Sequence, residues 1–264
     1  MTLRRLDAEL VRRGLAATPE EAHEAVDAGR VTVAGITATK VSTMVAGDAP
    51  LEIVWADRRH VSRGGAKLAA ALDRFAVDPQ DRDCLDAGAS TGGFTECLLD
   101  RGAARVAAVD VGYGQLAWRL RSDPRVVVLE RTNVRSLTSA SLPFIPDLVV
   151  ADLSFASLRG VVGVLAAVAS HDADYILLVK PQFEARRQDV GPGGVVRDPA
   201  IWRAAIEEVE RAALAAGLAP RAVMASPLPG PAGNIEFPLF LSGSGPVGGV
   251  DIDPAILEAR ELVG

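Results

Sequence analysis

Residues 84–94 read Cys84-Leu85-Asp86-Ala87-Gly88-Ala89-Ser90-Thr91-Gly92-Gly93-Phe94, an apolar run that closes on a carboxylate and then turns through glycines into a helical pattern. A strand feeding such a turn is the cofactor seat of a doubly wound sheet, because glycine lets the backbone bend tightly and approach a ligand. Asp86 bears on which ligand. A pyrophosphate wants open amide donors, so a negative charge beside the turn disfavours a dinucleotide. S-adenosylmethionine carries an ammonium and a sulfonium and suits an acidic neighbour. The strict GxGxxG spacing is also broken by Ser90. A second apolar run, 105–109, ends in Asp110, at the separation of about 20 residues where a carboxylate grips a ribose hydroxyl.

Working outward, the units repeat. Strand patterns over 83–86, 105–110, 125–129, 148–151 and 175–179 alternate with helical patterns over 92–101, 115–121, 158–169 and 200–216, which is the order of a parallel sheet covered by helices. Asp198-Pro199 caps the 200–216 helix and Asp253-Pro254 starts a terminal one. Residues 223–226 read as a further strand and 237–241 as the last. Pro238 removes a ladder donor, which predicts a position near the sheet edge. Ligands bind outside the carboxyl ends of such strands, so Asp86, Asp110, Asp152 and Lys180 are expected on one rim. Residues 184–197, rich in glycine and polar groups, read as a mobile surface loop suited to covering a substrate.

The N-terminal part has a different pattern. Residues 3–13 place Leu3, Leu6 and Leu10 on one helical face, with Arg4, Arg5, Arg12 and Arg13 largely elsewhere. Thr18 reads as an N-cap with Pro19 at the first position of a second helix, and Val31, Val33, Leu51, Ile53 and Trp55 alternate as strands. The polar stretch 57–62 reads as a linker. The expected division is therefore a small α+β domain over 1–56, the linker over 57–62 and a catalytic domain over 63–264.

With 264 residues, 49% hydrophobic and 23% charged, the chain can bury one large core and one small one. No uncharged run approaches the ~20 residues of a membrane span, and no signal-peptide pattern follows Arg4 and Arg5, so a cytoplasmic location is expected. Cys84 and Cys97 sit in apolar patterns and read as buried thiols. His23, His60 and His171 are scattered, so no metal site is expected. A net charge of -6 rules out a uniformly basic surface. Residues 1–63 hold nine Lys or Arg against nine Asp or Glu, so any nucleic-acid role there rests on how the cations are distributed.

Two resemblances add to this. Arg4-x-x-Asp7, Leu10, Gly14-Leu15, Ala22, Gly29 and Val31-x-Val33-x-Gly35 resemble the small RNA-binding domain shared by a small-subunit ribosomal protein, some pseudouridine synthases and bacterial tyrosyl-tRNA synthetases. Over nearly its full length, the chain is identified as a member of the TlyA family, which also carries a hemolysin label. That identification rests on the stretches 61–68, 85–95, 110–116, 152–155, 179–184, 190–196 and 233–236. It implies an FtsJ-like catalytic domain with a Rossmann-like, mostly parallel sheet whose last strand is antiparallel. It also implies S-adenosyl-L-methionine as cofactor, and methylation of a ribose 2′-hydroxyl of ribosomal RNA, at cytidine in 16S and/or 23S rRNA. Its Lys-Asp-Lys-Glu tetrad falls on Lys67, Asp152, Lys180 and Glu236.

The chemistry needs such residues, because a ribose hydroxyl is a poor nucleophile and a base must take its proton as the oxygen aligns with the methyl group. On the family pattern Lys180 is the base, Lys67 orients the hydroxyl, Asp152 lies beside the cofactor and Glu236 tethers the lysines. The cofactor set is Asp86, Gly88, Ala89, Ser90, Thr91, Gly92, Gly93, Phe94, Thr95, Asp110, Asn133 and Asp152, with an Asx turn as the alternative role of Asn133. The RNA set is Arg4, Arg5, Arg12, Arg13 and Arg63. Ribosomal RNA or ribosomal subunits are the expected partners, for a monomer or weak dimer with no membrane partner. The competing readings are a membrane-active hemolysin and an RNA-binding assembly factor with an idle methyltransferase fold.

Overall fold

A computed structural model describes residues 3–16, 19–54, 62–246 and 248–263. The proposed Thr18 cap, Trp55, and the linker up to residue 61 lie outside the described residues, as does the Arg63 side chain.

The N-terminal module begins with a difference from the sequence reading. Leu3–Arg5 is a strand (β1), and the helix α1 runs only over Leu6–Arg12. Leu3 points outward, whereas Leu6 and Leu10 are fully enclosed. The strand forms because β4, Met44–Ala46, offers it an antiparallel partner that the local pattern does not reveal. Helix α2 spans Pro19–Asp27. The strand β2 (Val31–Val33) pairs with β3 (Ile36–Thr37) on one side and with β5 (Leu51–Ile53) on the other. Leu6, Leu10, Ala22, Ala25, Val31, Val45, Leu51 and Ile53 make its own small core.

The larger domain opens with α3 (Arg63–Phe75), capped by Ser62, whose side chain accepts from the Gly64 amide. Then follow β6 (Asp83–Ala87), α4 (Gly93–Asp100), β7 (Arg105–Val109), α5 (Trp118–Arg121), β8 (Val126–Leu129), β9 (Leu148–Ala151), α6 (Val162–Val168) and β10 (Asp174–Val179). The chain continues through α7 (Pro181–Glu184), α8 (Pro199–Ala215), β11 (Ala219–Val223), β12 (Phe237–Ser242) and α9 (Asp253–Val263). The seven strands lie in the order β11-β12-β10-β9-β6-β7-β8. β6 pairs in parallel with both β7 and β9, so the order reverses between β6 and β9, and a cofactor crevice belongs there.

Central strands are buried on both faces, as parallel strands under helices must be. Leu85, Ala87, Val149, Ala151, Tyr175 and Leu177 pack toward α6, α8 and α9. Their alternates Cys84, Val106, Val150, Ile176 and Leu178 pack toward α3, α4 and α5. Cys84 and Cys97 are buried and unbridged, and burial pushes each thiol up to about 12.

One expectation is corrected at the far side of the sheet, and the place of Pro238 near the edge is kept. The strand after α8 is Ala219–Val223, ahead of the 223–226 stretch. It forms the edge. β12 lies one place inside, antiparallel to both β10 and β11, and the missing donor of Pro238 is tolerated while its carbonyl still accepts from the Met224 amide. The 184–197 stretch is likewise pinned rather than loose. Glu184 accepts from Ser157 Oγ and the Leu158 amide. Buried Asn234 accepts from the Val196 amide and donates to the Gly194 carbonyl, and Trp202 donates to the Val196 carbonyl.

Candidate active site

The carboxyl ends of β6 and β9 sit side by side. The register places Ala87 opposite Ala151, and the Asp152 amide donates to the Ala87 carbonyl. Gly88 follows with φ +90°, where an added Cβ would lie 2.5 Å from the Asp152 carbonyl oxygen. Only glycine satisfies both demands. Two connected clefts open here. One, of about 450 Å³, is lined by Lys67, Asp152, Lys180 and Glu236 together with Gly88, Ala89, Ser90, Thr91, Gly93 and Phe94. The other, of about 470 Å³, is lined by Asp110 and Asn133, and shares Gly88, Ser90, Gln115, Asp152, Ser154 and Phe155 with the first.

The four tetrad positions converge as two ion pairs. Lys67, on the first turns of α3, reaches Glu236 at 2.5 Å across a sequence separation of 169. Lys180, the residue after β10, lies 2.6 Å from Asp152 Oδ1 and donates to Ser154 Oγ at 3.1 Å. Lys67 is 6% exposed, Lys180 8% and Glu236 1%. Glu236 therefore holds Lys67, and the carboxylate on Lys180 is that of Asp152. The expectation of one carboxylate tethering both lysines is revised to one carboxylate for each.

The cofactor positions divide between wall and support. Asp110 Oδ2 accepts from the Ser90 amide at 2.8 Å and its Oδ1 from the Gly112 amide at 2.6 Å, so it braces the glycine turn from the end of the neighbouring strand. Asn133 lines the second cleft while its Oδ1 accepts from the Arg135 amide; the Asx turn and the cleft-facing position coexist. Asp86, Gly92 and Thr95 lie behind the lining. Asp86 is fully enclosed. Its Oδ2 accepts from Thr95 Oγ1 at 2.6 Å, and its Oδ1 has no partner among the described residues. Burial, reinforced by the charges of Asp152 and Asp110 and opposed by the Thr95 bond, pushes its carboxyl up to about 7.

A buried, orphaned carboxylate oxygen is costly unless something cationic completes it. The site thus fits a cofactor with an ammonium at one end and a ribose at the other.

Residues 60–242 match the FtsJ-like methyltransferase family and residues 4–49 the S4 domain. The 16S/23S rRNA (cytidine-2'-O)-methyltransferase TlyA of Mycobacterium tuberculosis is 56% identical over 90% of this chain and 89% of its own. The chain belongs to the TlyA family. It is accordingly an enzyme, a methyltransferase with S-adenosyl-L-methionine as its cofactor. A TlyA-family likeness extends to YqxC of Bacillus subtilis, named as a candidate rRNA methyltransferase, at 45% identity over 91% of this chain and 86% of the relative. It extends also to the solved structure of a hemolysin candidate from Streptococcus thermophilus. That structure matches with a TM-score of 0.80 at 35% identity, covering 100% of this chain and 98% of the other. Among the described residues no helix is long and apolar enough to cross a membrane.

The arginines of this TlyA-family S4 domain are not equivalent. Arg4 and Arg5 are exposed, Arg12 is half-exposed and paired through two hydrogen bonds with Glu9, and Arg5 holds the Asp7 carboxyl well below its ordinary range. Arg13 departs from the RNA-binding expectation. Its side chain is enclosed and every guanidinium N–H is used within the protein, so nothing is left for a phosphate. The sequence reading also gave no role to Phe155, which is 92% exposed with φ +62° at the junction of the two clefts. A bulky residue in the left-handed region is uncommon and concentrates at working sites. Its only sequence signal was its place directly after Asp152-Leu153-Ser154.

Proposed function

We propose that this chain is a 2′-O-ribose methyltransferase acting on ribosomal RNA at a cytidine, with Lys67, Asp152, Lys180 and Glu236 as its catalytic residues. The observation that carries the reading is the pair of lysine–carboxylate contacts, one buried and one partly buried, facing one cleft beside the glycine turn. S-adenosyl-L-methionine, when bound, supplies the methyl group as an electrophile. Asp86, behind the glycine turn, would favour its ammonium through charge without touching it, Asp110 would take its ribose, and residues 88–95 with Asn133 would form the seat. Lys180, in its neutral form, would take the proton of the 2′-hydroxyl as that oxygen accepts the methyl group, and Asp152 would hold the resulting ammonium, the ion pair seen here. Lys67, fixed by Glu236, donates to the hydroxyl oxygen and orients it. A proton acceptor positioned in this way contributes about 10²- to 10⁴-fold in rate.

The division of labour follows the domains, 1–56 docking RNA through Arg4, Arg5 and Arg12, the 57–62 linker with Arg63 just beyond it, and 63–264 carrying the chemistry. Phe155, at the junction of the clefts, offers a ring for the target base, and a base–aromatic stack contributes about 1–3 kcal/mol. The reading is tested by incubating the protein with labelled S-adenosyl-L-methionine and ribosomal subunits and digesting the RNA to nucleosides. Label in 2′-O-methylcytidine is expected. Label on a base, or none on RNA with the cofactor bound, refutes it.

A further inference from the structure

The segment 110–119 joins the cofactor cleft to the S4 domain, and it is fixed from three sides. Asp110 bonds the Gly112 amide from within the cleft. Glu130 accepts from the Gly114 amide at 2.8 Å from beneath, itself paired to Arg121. From above, Arg13 of the S4 domain donates through Nη1 to the Gly114 carbonyl at 3.2 Å.

Arg13 is built for this position. Its Nε donates to Glu9 at 2.8 Å, Nη1 also to the Ala49 carbonyl at 2.7 Å, and Nη2 to the carbonyls of Ala46 and Gly47 at 3.4 and 3.0 Å. All five donors of a rigid, planar fork are thus spent, four of them on backbone carbonyls. The contact surface around it is close. Gly114 has φ +69°, and a Cβ there would lie 2.1 Å from the Asp48 carbonyl oxygen. Arg119 reaches Glu52 of the S4 domain at 3.2 Å and also pairs with buried Glu96 on α4, the helix opened by the glycine turn. Gln115, the residue after the Gly114 carbonyl, lines both clefts and lies 3.4 Å from Ser90 Oγ. Arg12 and Arg13 themselves line the catalytic cleft.

We infer that Arg13 is a positioning residue for the cofactor site, coupling the placement of the S4 domain to cofactor affinity through the Gly114–Gln115 backbone. This rests on the cofactor placement proposed above. The S4 domain is then part of the cofactor pocket's construction, beyond its service as an RNA anchor. Because coupling between two binding events is reciprocal, an RNA that seats the S4 domain more firmly on this segment tightens cofactor binding by the same factor that the cofactor tightens RNA binding.

The test uses calorimetry of S-adenosyl-L-methionine binding to the full chain and its variants Arg13→Lys, Glu52→Gln and Asp110→Asn, with thermal melting of each. Arg13→Lys keeps the charge and loses the fork. It is expected to weaken cofactor binding about tenfold, the factor that one charge-assisted hydrogen bond supports, and to raise the KM for the cofactor by more than it lowers kcat. Glu52→Gln, which leaves the S4 core intact, is expected to shift affinity in the same direction by a smaller factor and serves alone should Arg13→Lys fail to fold. Asp110→Asn checks the cofactor placement itself. If it weakens binding while Arg13→Lys, or Glu52→Gln in its place, melts lower yet binds the cofactor as the parent does, Arg13 is structural only and the inference is overturned with the site intact. If Asp110→Asn has no effect either, the placement of the cofactor fails and the coupling with it.

Discussion

Titration of Asp86 gives the sharpest prediction. The carboxyl is fully enclosed, has Thr95 Oγ1 on one oxygen and no partner among the described residues on the other, and faces the charges of Asp152 and Asp110. Burial chiefly, then those charges, lift it to about 7 against the Thr95 bond. Ionising it in the cofactor-free protein therefore costs on the order of 4 kcal/mol more than ionising an ordinary carboxyl in water. A cationic cofactor in the adjoining cleft, with the glycine turn between it and Asp86, favours the ionised form. Cofactor binding below pH 7 must then expel a proton, about 0.9 per site at pH 6 for a group that titrates near 7. Affinity is expected to fall by up to tenfold for each unit below pH 7. Stability runs the other way. The folded value lies above the unfolded one, so the contribution of protonated Asp86 is complete below about pH 4 and is lost as pH rises through about 7. Asp86→Asn is therefore expected to stabilise the cofactor-free protein at pH 8 while contributing little at pH 5, and to bind cofactor weakly with little pH dependence. Calorimetry at pH 6 in two buffers of different ionisation enthalpy counts the proton. A count near zero, with the cofactor bound, would refute the reasoning.

Three other outcomes are expected. Lys180→Arg keeps the charge but cannot accept a proton, so single-turnover methylation at saturating RNA and cofactor should fall about 10²- to 10⁴-fold with cofactor affinity nearly unchanged; a near-normal rate would reduce Lys180 to substrate positioning. Gly88→Ala forces a methyl within 2.5 Å of the Asp152 carbonyl at a φ of +90°, and should lower the melting temperature and abolish cofactor binding, at a backbone cost of about 1–3 kcal/mol. Replacing Arg4, Arg5 and Arg12 together should weaken RNA binding and flatten its dependence on salt by a log–log slope of up to about 2, since Arg5 and Arg12 are already partly neutralised by Asp7 and Glu9; an unchanged RNA affinity in filter binding would demote the S4 surface to scaffold.

Much of this molecule is written locally. The alternation of apolar strands with helical stripes dictates a parallel sheet, because strands buried on both faces need crossovers to cover them. The run from Cys84 to Phe94 marks the crevice, because a glycine turn after a strand is a backbone demand that each residue makes on itself and its neighbours. What periodicity does not carry is partnership across the fold. Lys67 meets Glu236 and Lys180 meets Asp152 only because β6, β9, β10 and the turn before β12 end on one rim. Leu3 becomes a strand because Met44–Ala46 lies beside it, and β12 sits inside the sheet because β11 takes the edge. Arg12 and Arg13 are adjacent cations in the sequence, yet one borders solvent and the other spends every donor on carbonyls gathered from two segments, 46–49 and Gly114, and on Glu9. Sequence alone determined which chemistry the chain can hold, since that depends on residue type and short-range geometry. Tertiary structure decided which charges meet, because electrostatic energy depends on distance and burial that only the packed sheet and the docked S4 domain define.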